Sequence, residues 1–238
     1  MTRFLSILVV SFVFTSTLCA QEHFLRTPGD ATATSYAPVE ILDAQMNRAV
    51  SELAPLMAAG ESSWERNAPA VHRLGAEIAA FGQVCGLHDQ YSEFKMGASR
   101  IIQSASGLSA ANDFASASEH WTALQPALKS DDTKLLSWDT PVAGTKELMQ
   151  AAAFHKRQIG AKMEKLRGLD DVAGDGVALA AIFQALTANQ PSAEWKEFCM
   201  QARDASYNLY ITLEAFDRKH SPKNYDALGE KCANCHKK

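Results

Sequence analysis

SEFKMGAS at residues 92–99 and KEFCMQAR at residues 196–203 lie at a constant offset of 104. At that offset Tyr91 falls on Trp195, Trp121 on Tyr225, Ala123 on Ala227, Leu124 on Leu228 and Ile78 on Ile182. A gap-free shift that sets aromatics on aromatics exceeds what alanine-rich helices give by coincidence. Self-similarity at one offset is the sequence sign of a repeated structural unit.

Around these segments apolar residues recur at helical spacing and β-branched clusters are rare, so the expected class is all-α. Eight helices are expected, near 39–58, 66–86, 90–107, 110–128, 142–167, 171–188, 192–217 and 221–237. Gly60-Glu-Ser-Ser, Asp131-Asp132, Thr140-Pro141, Gln190-Pro191-Ser192 and Ser221-Pro222 mark the breaks. Ser192 is suited to an N-cap, Pro222 to a first helical turn, and Pro126 to an early end of the fourth helix. The expected architecture is two tandem four-helix bundles, residues 38–130 and 133–238, behind a linker at 21–37.

The first twenty residues, MTRFLSILVVSFVFTSTLCA, carry Arg3 as their one charge and an apolar run from Leu5 to Phe14. This has the form of a secretory signal, residues 1–20, cleaved after Ala20, and it implies export to the periplasm. Leu18 is a poor residue to precede a lipidated Cys19. Loss of Arg3 leaves 22 basic against 27 acidic residues, a charge of about −5. Without a Lys/Arg cluster, neither nucleic acid nor anionic lipid is an expected partner. No later stretch reaches the ~18 uninterrupted apolar residues of a membrane span.

Four cysteines follow the leader: Cys85, Cys199, Cys232 and Cys235. The last two stand in Cys232-Ala-Asn-Cys235-His236, the attachment spacing of a c-type haem. Its two thiols form thioethers with the haem vinyl groups, and the adjacent histidine ligates iron. Five Cys and seven His among 238 residues give this pattern on the order of a few times in a thousand such chains. A thioredoxin-like dithiol wants a βαβ setting, and a structural zinc site wants two further ligands, for which Cys199 and one histidine would have to coincide. Cys85 and Cys199 sit among helical apolar residues, where two buried thiols and a bridge between them are both open. The 104-residue shift carries Cys232, Cys235 and His236 back to Leu128, Asp131 and Asp132. The first unit therefore lacks the attachment residues, and one covalent haem c is expected, at the end of the last helix.

YDALGEKCANCHKK, residues 225–238, closes a four-helix unit and resembles the C-terminal helix of the cytochrome c-prime family. Ala227, Gly229, Cys232, Cys235 and His236 stand at the family's spacing, and the likeness reaches 38–130 only through the internal repeat. The resemblance implies a four-helix bundle, thioethers at Cys232 and Cys235, and His236 as proximal iron ligand. Family members usually continue past the histidine with an aromatic and a basic residue. Here Lys237-Lys238 follow, read as a solvated tail.

In an up-down-up-down bundle the end of the fourth helix neighbours the starts of the first and third, here 142–167 and 192–217. Met149 lies at a suitable depth for a sixth iron ligand, His155 nearly two turns deeper, and a vacant sixth side is the third option. Trp195 and Phe198 are expected against the porphyrin, and His220 at the far end of the bundle. The expected function is electron transfer with redox partner proteins. The alternative is binding of NO or CO at an open sixth side, with the first unit as an interaction module or dimer-like interface. A homodimer is a further expected partner state. No nucleophile motif is present, so no enzymatic role is expected beyond weak peroxidase-like turnover at an open haem.

Overall fold

A computed structural model describes residues 32–131, 134–165 and 167–236, with Cys235 and His236 by backbone alone. The leader at 1–20, most of the linker at 21–37 and Lys237-Lys238 lie outside the described residues. Those described form helices and turns, with no strand among them.

Eight helices run in order: α1 Val39–Ala58, α2 Trp64–Leu87, α3 Ala98–Ala110, α4 Phe114–Ala127, α5 Thr145–Met163, α6 Ala173–Thr187, α7 Ala193–Glu214 and α8 Ser221–His236. The offset of 104 carries α1 onto α5, α2 onto α6, α3 onto the later turns of α7, and α4 onto α8. Paired positions share an environment. Ile78 and Ile182 are fully buried, as are Leu124 and Leu228.

The third helix departs from expectation, beginning at Ala98 rather than near 90. Side chains there take the bonds a helix would have made. The Ser92 hydroxyl donates to Asp43 at 2.6 Å and accepts from the Phe94 amide at 3.1 Å. The Lys95 ammonium donates to the His88 carbonyl, and at 3.4 Å to that of Gln90. Gly97 then turns the chain where a β-carbon would stand 2.2 Å from the Ala127 carbonyl oxygen. The best-matching repeat segment is thus a turn in the first half and a helix in the second.

Consecutive helices pack in each half, and α8 returns to α5. The halves also share one core, because α2 lies against α5 and α6, and α1 against α6. This explains two unusually apolar helices. Every residue of α6 except Gly174 is buried, as is every residue of α2 from Leu74 to Cys85. A helix surrounded on all sides has no face to leave polar. Asp170–Asn189 is accordingly long and apolar enough by composition to cross a membrane, yet here it is mostly covered by protein.

Candidate functional site

The attachment spacing read from the sequence ends α8, and the aromatic Tyr225 fixes α8 to α5. The Tyr225 hydroxyl donates to the Lys156 carbonyl at 3.3 Å and occupies the notch left by Gly160. From there α8 runs with Leu228 fully buried, so Cys232 arrives beside the start of α5. Helical register puts positions 232, 235 and 236 on one face.

Cys232 forms part of the wall of a cleft of about 290 Å³ between α5, α6, α7 and α8. Three spacings build the other walls. Trp195, Phe198, Cys199 and Ala202 follow i, i+3, i+4, i+7 along α7. Phe183 and Leu186 come from α6, and Thr145 with Met149 from α5. The Ser192 hydroxyl accepts from the Trp195 amide at 3.4 Å, which sets where α7 begins and so which residues face inward. Trp195 and Phe198 meet edge to face, centroids 6.1 Å apart. Asn189 ties the α6–α7 turn to α5, donating to the Ala143 carbonyl at 2.8 Å and to Thr145 Oγ1 at 3.1 Å. Polar groups in the lining are few: Thr145, Gln190 and Lys231, whose ammonium donates to Gln201 at 3.3 Å.

The sequence-predicted residues separate cleanly. Met149, Trp195, Phe198 and Cys232 share this cleft. Cys235 and His236 belong to the same last turn of α8, their side chains outside the described atoms. His220 lies in the α7–α8 turn, its Nδ1 2.6 Å from Asp217. His155 does not line the cleft. It is fully buried between the halves, with Nδ1 2.6 Å from Asp175 and Nε2 3.5 Å from Glu77. Cys85 is a buried free thiol directed at Asp43 at 3.7 Å, so no bridge joins it to Cys199. Phe183, Leu186 and Cys199 are cleft residues that the sequence reading passed over, although Cys199 is one helical turn beyond Trp195.

The corresponding end of the first half is narrower, with a cavity of about 150 Å³ beside Gln83, Ile102 and Leu136. Gly82 and Gly86 stand where the offset places Leu186 and Gln190, and Ile101 and Ile102 press close to Gly82. Leu136 of the linker fills the space at Gly86, 2.3 Å from where a β-carbon would be. Gln83 holds that linker by donating to the carbonyls of Ser137 and Thr140, both at 3.0 Å.

The walls of the second-half cleft are mainly apolar and aromatic. Its volume is near the lower end of the roughly 300–1,000 Å³ common for small-molecule and cofactor sites. A thiol stands in the wall from the helix that carries the attachment spacing. No protein-family model matches the chain, and neither a curated protein nor a solved structure matches it significantly.

Proposed function

We propose that the protein is an exported c-type cytochrome with one covalent haem, acting in electron transfer outside the cytoplasm. In this reading α5–α8 form the haem-bearing unit and α1–α4 its haem-less counterpart. The observation that carries it is the coincidence of two independent features: the Cys-x-x-Cys-His spacing ending α8, and an apolar cleft with Cys232 in its wall.

Cys232 and Cys235 would each add S–H across a vinyl group, sulfur bonding to one carbon and hydrogen to the other, with no change in net oxidation. His236 would supply the proximal nitrogen. The haem, when bound, supplies a one-electron ferric/ferrous couple whose potential follows axial ligation and burial. Phe183, Leu186, Trp195 and Phe198 keep water from that face of the cleft and hold its local polarity low. The Met149 thioether, in the same wall, would be a candidate second protein ligand to the iron. The smaller cavity at the matching end of the first half, and Leu128 and Asp131 where the offset places the two thiols, support a single haem per chain.

A second reading, binding of NO or CO at an open sixth side, draws on the same apolar lining. Visible spectra of the reduced protein with and without CO separate the two. Electron transfer with Met149 bound gives a sharp low-spin spectrum indifferent to CO, turning CO-sensitive in Met149→Ala. A broad high-spin spectrum that shifts with CO in the unaltered protein overturns Met149 ligation and favours gas binding.

A further inference from the structure

His155 has no part in the cleft, yet it lies within a network of charged side chains. Five side chains from three helices gather around it. Arg48 and Glu52 come from α1, Arg73 and Glu77 from α2, and Asp175 from α6. Arg48 reaches Asp175 at 3.0 Å and lies 3.3 Å from His155 Nδ1, while Arg73 pairs with Glu77 and stacks on the Phe154 ring at 3.8 Å. Glu77, Asp175 and His155 are almost wholly excluded from water. The other described elements against α5 direct their polar groups elsewhere: Tyr225 of α8 bonds the Lys156 carbonyl, and Asp171 pairs with Lys162 at 2.9 Å.

Arg48 and Arg73 pair with the buried carboxylates of Asp175 and Glu77, and both also face the exposed Glu52, so a protonated imidazole brings the charges of the cluster level. The geometry agrees. Asp175 already accepts from Arg48 at 3.0 Å, so the approach of Nδ1 to the same carboxylate oxygen at 2.6 Å is that of a second donor, Nδ1–H. Nε2 lies 3.5 Å from the Glu77 carboxylate and makes no hydrogen bond. In neutral histidine that nitrogen would present a lone pair to a buried carboxylate. In imidazolium both nitrogens carry hydrogen, and each has a carboxylate within 3.5 Å.

We propose that His155 is a buried proton-binding site whose bound proton completes the charge balance between the halves and locks α1–α2 onto α5–α6. Burial of the ring disfavours the charged form. The hydrogen bond to Asp175 and the charges of Asp175 and Glu77 outweigh it and hold the imidazole pKa above its ordinary value. The sign of the stability effect follows from linkage. A raised folded-state pKa gives stabilisation that is complete below the unfolded value of about 6.5 and is lost as pH rises through the folded value. The lock therefore holds in mildly acidic surroundings and loosens in alkaline ones.

The test is a histidine-side-chain NMR titration of the full chain from pH 5 to 10, beside melting temperature over the same range. The expected result is one imidazolium that persists well above pH 6.5, its signal absent from His155→Gln. In Asp175→Asn its midpoint should fall by about 1–3 units. Melting temperature should decline above pH 6.5 in the natural protein, and that decline should flatten in His155→Gln. If His155→Gln fails to fold, the midpoint in the natural chain and its response to Asp175→Asn decide alone. A His155 signal that titrates at or below 6.5, or that ignores Asp175→Asn, overturns the proposal.

Discussion

Tyr225 rests in the notch of Gly160: a β-carbon there would stand 2.6 Å from the tyrosine hydroxyl, which itself donates to the Lys156 carbonyl. This contact sets the height of α8 against α5 and so brings Cys232 to the cleft. Gly160→Val should displace the ring and cost about 1–3 kcal/mol of stability through overpacking. Tyr225→Phe removes only the hydrogen bond and should cost about 0.5–1.5 kcal/mol. Chemical denaturation measures both, and covalent haem yield should fall in the valine variant far more than in the phenylalanine variant.

Ser192 fixes the first turn of α7 and thereby the inward face carrying Trp195 and Phe198. Ser192→Ala should lower stability by ~0.5–2 kcal/mol. The Trp195 fluorescence spectrum should shift toward that of a more exposed indole, because the capped turn is the one it stands on.

Cys85 is wholly buried, and burial pushes its thiol far above the ordinary range, with the nearby Asp43 carboxylate adding to the rise. Its thiolate is therefore suppressed throughout the neutral range. In the native protein at pH 8 an alkylating reagent should leave Cys85 unmodified, and denaturant should expose it fully. Peptide mass mapping before and after denaturation checks this.

Residues 133–238 expressed alone should not fold as a stable unit. The α1–α2 side of α6 would be exposed, and Asp175 with His155 would lose Arg48 and Glu77 together. Breaking a buried ion pair costs about 3–5 kcal/mol even before the apolar exposure. Circular dichroism should show a broad, non-cooperative melt for the fragment and a sharp one for the full chain.

The helix count was legible because periodicity and punctuation act locally. Seven helices lie close to their expected ranges, and Ser192 caps α7 as its position predicts. The start of α3 was not legible, since Asp43 and Ala127, which hold the turn at 92–97, are distant in sequence. The neighbourhood of Met149, Trp195, Phe198 and Cys232 could be inferred from bundle geometry and helical spacing. The role of His155 could not. Its partners are single charges on α1, α2 and α6, each an ordinary surface residue by pattern, and only the packing of the halves gathers them.

The most direct measurement is the intact mass, then the haem-peptide map, of the full chain produced in a host with c-type cytochrome maturation. The account predicts the mass gain of one haem, carried by the peptide containing Cys232 and Cys235 and abolished in the double variant Cys232→Ser, Cys235→Ser. Cys199, although in the cleft wall, should remain outside the haem linkage. A chain that matures without covalent haem, or that carries haem through other residues, would contradict it.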